Sequence, residues 1–405
     1  MNRSFDYDVI IAGGGPAGSS AAIDMATRGA DVLLAEQKKF PRQKLCGEFI
    51  SPECITHFER LGVADRMFAA NPASLIETVF YSRSGQQVRV PSAWFGAGGA
   101  ALGLSRAEMD ERLLRRAGDC GATVYEDAPV VDLIYENDAV CGVTLKKAGT
   151  RISYRAPVTI DATGRTRALA RYVERQEKRS LWRRPSLVAF KAHLEETRVA
   201  PGACEIYFYR GGYGGLSNIE GGLSNLCFIA SARDVRACGA DADQVLREVV
   251  CRNVRAARTL LNARARTPWL AVSLEGFGRH KLAPAKGLLT IGDAASFIDP
   301  FTGSGMLMAF ESGELVAQVI AGHLGVMKSS QEFIVLAAKY REAYSQRFDS
   351  RLRLCSMMRR AAFFPGLAEL AIRSFRLSDH LRRRVTQGTR SGGSQRSESP
   401  LVSAK

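Results

Sequence analysis

Only three tryptophans and five histidines occur in the 405 residues. The histidines (His57, His193, His280, His323 and His380) form no H-x-x-E-H-type pair, and the nine cysteines contain no C-x-x-C. No metal site is expected from such a pattern. No run of about 18 apolar residues occurs, which excludes a transmembrane helix. Residues 1–8 are polar and lack the basic start and apolar stretch of a signal peptide. With scattered cysteines, this predicts a cytoplasmic protein whose thiols are reduced. Hydrophobic residues make up 46% and charged residues 24%, which excludes disorder, collagen and coiled coil as the main organisation. Acidic residues are in deficit, 41 against 56 Lys and Arg, for a net charge of +15. The excess is uneven: residues 351–405 hold twelve basic and three acidic residues. No recognised nucleic-acid motif accompanies that charge, so nucleic acid is not an expected partner.

What is present begins with a short apolar run, Tyr7–Ala12, followed at once by Gly13-Gly14-Gly15-Pro16-Ala17-Gly18. A helix is expected over 19–28 and a second apolar strand over 31–35, closed by Glu36. Gly13, Gly15 and Gly18 fit G-x-G-x-x-G between strand and helix. The first glycine permits the tight turn, the second lets backbone approach a diphosphate, and the third lets helix pack on strand. The helix start, with Pro16 and Ala17, faces that diphosphate with free N–H groups. Glu36 suits the adenosine ribose hydroxyls and would repel a 2′-phosphate. The motif alone leaves FAD and NAD open.

Further along, a helix is expected over 53–61, a hairpin over 75–91 with Ser84-Gly85 at its turn, and an amphipathic helix over 106–118. Short strands are expected over 122–160 with a turn at 136–138. More strands are expected over 186–232, interrupted by the glycine-rich stretch 211–222. A helix is expected over 241–264, a strand over 288–291, and a long helix opened by Thr302-Gly303-Ser304-Gly305 and running to about Leu324.

Three later segments choose the cofactor. Gly292-Asp293 follows an apolar strand within GDAASFIDPFTGSGMLMAFESG (292–313). Asp161-Ala162-Thr163-Gly164-Arg165 ends another strand. Arg106 stands at a helix start. With these, the chain resembles the FAD-dependent superfamily whose fold para-hydroxybenzoate hydroxylase shares. Within it the chain is most similar to the geranylgeranyl reductase family, through Phe40-Pro41-Arg42-Gln43-Lys44-Leu45-Cys46-Gly47-Glu48 and Ser51-Pro52-Glu53.

The resemblance implies an α/β fold. A Rossmann-like FAD domain (1–70, 105–180 and 270–330) would carry an inserted mixed-sheet substrate domain (71–104 and 181–269). A helical C-terminal region (331–385) and a disordered tail (386–405) would follow. It places Asp293 on the ribityl chain and Arg106 on the flavin. It places Gly292 in the Gly-Asp pair at the ribityl chain, and Pro300, Gly303, Ser304 and Gly305 at a helix start beside the ring, where the dipole favours negative charge. Asp161 and Gly164 would shape a turn near the cofactor. Arg42 and Lys44 would hold FAD phosphates or a substrate phosphate, the alternative being a solvated basic loop. Cys46 would stand beside the flavin as active thiol, proton donor or pocket wall, while Cys54 reads as core. His193 and His280 read as ordinary packing or surface residues without partners.

The implied activity is hydride delivery from reduced FAD to a carbon–carbon double bond of a hydrophobic, isoprenoid or polyketide-like substrate. NAD(P)H would dock transiently as electron donor. A hydroxylase using NAD(P)H and O2 on the same fold, and a non-catalytic flavin-binding protein, are the alternatives. The family's Tyr-x-Trp-x-Phe-Pro segment is replaced here by Tyr213-Gly214-Gly215-Leu216-Ser217-Asn218. The halogenase W-x-W-x-I-P segment is absent too, and no lysine stands between Gly13 and the second strand, which argues against halogenation. The Arg-rich region 351–384 also carries Met357, Met358, Phe363, Phe364, Leu367, Leu370, Phe375 and Leu377. That mixture leaves two readings: contact with an anionic membrane surface, or helices packed on the body.

Overall fold

The computed structural model describes residues 5–95, 99–177, 186–323, 330–362, 369, 372–375 and 378–389. A five-stranded parallel sheet forms one half, in the order Leu288–Thr290, Val158–Asp161, Val9–Ala12, Val32–Ala35, Thr123–Tyr125. All four residues of the strand Val9–Ala12 are buried, as a sheet covered on both faces requires. The first helix, Pro16–Thr27, starts three residues before the expected 19. Pro16 causes this: its fixed φ suits the first helical position and its missing N–H costs nothing there. This helix packs against the long helix Gly305–Ala321, where Gly313 lies so close that a Cβ would stand 2.6 Å from Ala17 O.

The expected helix at 106 runs Arg106–Asp119. Its start is fixed by Ser105, whose Oγ accepts from Glu108 N at 3.2 Å, half of a capping box. The turn at 136–138 joins Val130–Glu136 to Ala139–Lys147, with Asn137 and Asp138 both at positive φ, the geometry a two-residue hairpin needs. The expected hairpin is Glu77–Tyr81 against Gln87–Pro91.

The other half is an eight-stranded sheet, in which that hairpin joins strands from residues 187–274. Its pairs are antiparallel except Ala203–Tyr209 against Glu77–Tyr81. The strand Leu270–Leu274 pairs with Leu187–Glu195 in this sheet, although the domain boundary read from sequence falls at 270. Two expectations are corrected. The glycine-rich stretch does not interrupt the strands: Gly212–Asn218 is itself a central strand. Gly212 sits so close to its neighbour that a Cβ would stand 1.8 Å from Ile229 O. The helix expected over 241–264 is broken into Ala242–Glu248 and Val254–Thr259 with a short 3-10 turn between. Asn253 breaks it, accepting from Arg255 N and Ala256 N while donating to Tyr81 O, Ser82 O and Phe208 O.

Past residue 330 the chain is helical, with Ser330–Ala362 and Asp379–Gly388. Arg351 is fully buried and ion-paired to Glu311 of the helix Gly305–Ala321. Ile372 and Phe375 join an apolar cluster with Val88, Leu187 and Phe208. Arg382 donates to Arg89 O and lies over the Trp94 ring. At these residues the C-terminal region packs on the body. Phe363, Phe364, Leu367, Leu370, Leu377 and the tail from 390 lie outside the described residues, as does the expected helix end at Leu324. No helix among the described residues is long and apolar enough to cross a membrane.

Candidate active site

A cavity of about 930 Å³ lies between the two sheets. Its walls come from the ends of the parallel strands, the glycine loop, the segment 42–49, the eight-stranded sheet and the C-terminal helices. Most residues singled out from sequence line it together: Gly13, Gly15, Pro16, Ala17, Glu36, Arg42, Lys44, Cys46, Arg106, Gly164, Gly292, Asp293, Pro300, Gly303 and Gly305.

Three do not line it. Gly18 serves packing, since a Cβ there would stand 1.9 Å from Gly13 O. Asp161 is buried and spends its carboxylate on Thr163 N, Thr163 Oγ1 and Ala170 N. It shapes the turn that carries Gly164, and burial pushes its carboxyl above the ordinary range. Ser304 is buried and donates to Thr389 O at 3.1 Å, tying the C-terminal helix to the body.

At one end the walls are polar. Glu36 Oε2 accepts from Gly14 N at 2.9 Å and Oε1 from Lys38 N at 3.0 Å, so the carboxylate also holds the glycine loop. Gly15 opens on the cavity: a Cβ there would meet nothing nearer than Arg106 and Arg42 guanidinium nitrogens at 3.8 and 3.9 Å. Arg106 forms a two-bond fork with buried Asp110, both at 2.7 Å. Burial opposes its charge, but Asp110 outweighs burial and holds the guanidinium above its ordinary value. Arg42 leans on the same Asp110 at 3.3 Å and on Glu36 at 3.4 Å, yet its Nε has no hydrogen-bond partner among the described residues. Lys44 is pulled below its ordinary value, first by burial and then by Arg42, Arg106 and Arg165. Burial pushes Asp293 above the ordinary carboxylate range, against the pull of Arg165, Arg106 and Lys44. Four crowded cations, an unpartnered Nε and a bare glycine at a helix start fit an anionic diphosphate. These residues fit FAD.

At the other end the walls are apolar and aromatic. Phe301 packs against Phe208 and Tyr213 at 5.5 Å and Phe80 at 5.8 Å between ring centroids. Cys204, Ile206, Gly215, Cys227, Ile229 and Phe297 continue the wall, and Leu354, Met357, Met358 and Phe375 roof it. Tyr213 donates to Asp299, which Arg359 approaches at 3.3 Å. Cys46 lines the cavity between Arg106 of the polar end and Cys227 of the apolar wall, interacting electrostatically with each, and its Sγ accepts from Glu48 N at 3.4 Å. Its backbone O accepts from Asn225 Nδ2 at 3.1 Å. The nine cysteines are thiols, none in a disulfide, and Cys54 is buried as expected of core.

The reading missed a buried charged group beneath the Cys46 segment. Glu48 accepts from Lys191 Nζ at 2.5 Å and Arg106 N at 2.8 Å, and bonds His193 Nε2 at 2.7 Å. The expectation that His193 has no partner is thereby corrected. Burial opposes the Glu48 charge, but the His193 bond and Lys191 outweigh it and hold the carboxyl below its ordinary value. The signal was present: Lys191 and His193 alternate on one face of an otherwise apolar strand, Leu187–Glu195. Arg165 was also missed as a wall residue, though it closes the Asp161–Arg165 segment. His280 does not line the cavity; burial, then Arg167, lowers it to about 4.

Comparison with known proteins gives one family match, described as FAD binding domain, over residues 6–325. The chain is 27% identical over 391 residues to a menaquinone reductase of Mycolicibacterium smegmatis, covering 91% of this chain and 88% of the relative. It is 26% identical over 355 residues to a digeranylgeranylglycerophospholipid reductase of Methanocella arvoryzae, covering 86% of each. Among solved structures it is similar to a geranylgeranyl bacteriochlorophyll reductase-like protein from Thermoplasma acidophilum, with a TM-score of 0.74 and 23% identity over 95% of this chain and 93% of that one. A flavin-dependent brominase also has a TM-score of 0.74, at 21% identity over 94% of this chain and 93% of that one.

Proposed function

The chain belongs to the FAD-binding-domain family, and from that premise we propose that it reduces carbon–carbon double bonds in a long apolar, isoprenoid-type substrate. One observation carries this reading. The polar end that fits FAD and the aromatic end that fits an apolar chain are one cavity, with Cys46 where they meet. The menaquinone and digeranylgeranylglycerophospholipid reductases support the same substrate class by their names.

Bound FAD would supply two-electron transfer to the substrate. The chain's own groups do the rest. Gly13, Gly15 and the start of Pro16–Thr27 receive the diphosphate, while Arg42, Lys44, Arg106 and Arg165 offset its charge. Asp293 presents a carboxylate to the polyol chain and Glu36 to a ribose. Phe80, Phe208, Phe297 and Phe301 hold the apolar chain and exclude water. Cys46, between the two ends, gives a proton or bounds the pocket.

NAD(P)H docks transiently as the electron donor in this reading, because the sequence holds a single glycine-rich dinucleotide motif. The roof extends the proposal to peripheral membrane contact. Met357 lines the cavity yet is 68% exposed, beside a helical region rich in arginine. Such a rim suits the transfer of an apolar chain out of an anionic bilayer.

The test uses FAD-loaded protein reduced chemically without oxygen and given a polyprenyl quinone and a geranylgeranyl lipid. After any quinol is reoxidised in air, the expected product is still heavier by two hydrogens, placed on its isoprenoid chain by fragment masses, and it forms in the step without oxygen. A product heavier by one oxygen, formed only in air, overturns the reading and makes the protein a hydroxylase.

A further inference from the structure

The segment 43–48 is gripped from the eight-stranded sheet at five points, one of them the bond between His193 Nε2 and Glu48 Oε2 at 2.7 Å. Lys191 Nζ donates to Gln43 Oε1 at 3.0 Å, Lys44 O at 3.2 Å and Glu48 Oε1 at 2.5 Å, so all three of its protons are used. Asn225 Nδ2 donates to Cys46 O at 3.1 Å. The two grips are neighbours, because His193 pairs with Asn225 and Lys191 with Cys227 in adjacent strands. Glu48 carries the grip to a third element, accepting from Arg106 N at the start of the helix Arg106–Asp119.

Glu48 is fully buried, and Lys191 and His193 are 1% and 4% exposed. Apolar side chains of the same volume would join these elements at no greater cost. What charges add is direction: each bond fixes one atom of the loop. Glu48 also sits at φ 52°, a left-handed conformation that a glutamate keeps only where its surroundings over-determine it. Between the gripped atoms stand Lys44 and Cys46, both on the cavity wall.

We propose that Glu48, Lys191 and Asn225 are positioning residues that fix the Cys46 loop at the junction of the cofactor and substrate ends. This rests on the proposed reductase function only for what Cys46 then does, not for how it is held.

The test reads the loop directly, as the rate of iodoacetamide modification at Cys46 in FAD-loaded protein, resolved by peptide mass spectrometry. Glu48→Gln alone leaves Lys191 as a buried unpaired cation and is expected to melt lower. The double variant Glu48→Gln with Lys191→Met removes both charges together, and Asn225→Ala removes a grip that carries no charge. In each of these two, Cys46 is expected to react about tenfold faster, with melting lowered less than in Glu48→Gln alone because no unpaired charge is left buried. Double-bond reduction is expected to lose kcat by a similar factor at nearly constant KM. Modification rates within twofold of wild type in both folded variants overturn the proposal. Faster modification in protein that reduces no isoprenoid sinks the proposed function instead and leaves the positioning role standing.

Discussion

Gly15 and Gly18 belong to one motif, yet the structure assigns them opposite fates on substitution by alanine. At Gly15 the backbone is extended, φ −78° and ψ −175°, which any residue adopts. A methyl there meets its nearest atoms at 3.8 and 3.9 Å, ordinary contacts, and otherwise points into the cavity. Gly15→Ala is therefore expected to change the stability of FAD-free protein by less than about 1 kcal/mol. The same methyl occupies the space a diphosphate oxygen needs to reach the helix N–H groups. Losing one or two charge-assisted hydrogen bonds at about 1.5–3 kcal/mol each gives a cost near 3 kcal/mol. That corresponds to FAD binding about 100-fold weaker. At Gly18 a methyl would stand 1.9 Å from Gly13 O and 3.1 Å from Ala162 Cβ. Backbone must move, and Gly18→Ala is expected to lose about 3 kcal/mol or more of stability. The assays are thermal melting of the FAD-free proteins and FAD titration by quenching of flavin fluorescence. Gly15→Ala protein that folds and binds FAD as wild type does would refute the placement of the diphosphate.

Three further predictions follow from single side chains. Asn253→Ala removes a helix cap and orphans carbonyls of Tyr81, Ser82 and Phe208; urea unfolding should show a loss of about 3 kcal/mol, the cap contributing about 1 and the orphaned groups the rest. Asp293 is pushed up by burial, so its ionised form opposes folding above the ordinary value of 3.8 and the stability it contributes is lost as pH rises. Asp293→Asn should melt higher than wild type at pH 7 without FAD, converge with it below that value, and bind FAD more weakly; a lower melting point at pH 7 contradicts the burial argument. His280 is lowered to about 4, by burial first and then Arg167, so it contributes stability above 6.5 that is lost as pH falls toward 4. His280→Gln should flatten the stability profile across that window, and an unchanged profile from pH 7 to 4 would exclude the residue as its source.

The cofactor half was legible because its determinants are local. Strand, glycine turn, helix and closing acid lie within residues 7–36, and each element is specified by neighbours in the chain. The Ser105 cap and the Asn137–Asp138 turn are equally local, which is why their elements begin and end where the spacing predicts. The grip on Cys46 was not legible for the opposite reason. Glu48 and Lys191 are 143 residues apart, and nothing near either names the other. Lys191 and His193 did stand out in principle, as two polar residues on one face of the run LVAFKAHLE. A buried strand that spends two facing positions on ionisable groups must satisfy them somewhere. The motif residue that answers, Glu48, was already in view beside Cys46, but for its neighbours rather than for itself.

The glycine-rich stretch shows the same division from the other side. Local propensity disfavours a strand with three glycines, because each loses much backbone freedom and packs no side chain. Tertiary contact reverses the choice. Gly212 lies against Ile229 O, Gly214 would set a Cβ 3.0 Å from Phe228 Cβ, and Gly215 faces the cavity, where a Cβ would stand 3.2 Å from Ile206 Cδ1. Counted from Tyr213, Gly215 stands where the resemblance puts the tryptophan of Tyr-x-Trp-x-Phe-Pro. The departure that looked like a lost motif is thus a bare stretch of pocket wall. The sheet keeps its register there, and the volume a large side chain would fill is left to the aromatic end of the cavity, where Phe80, Phe208 and Phe301 set the remaining walls.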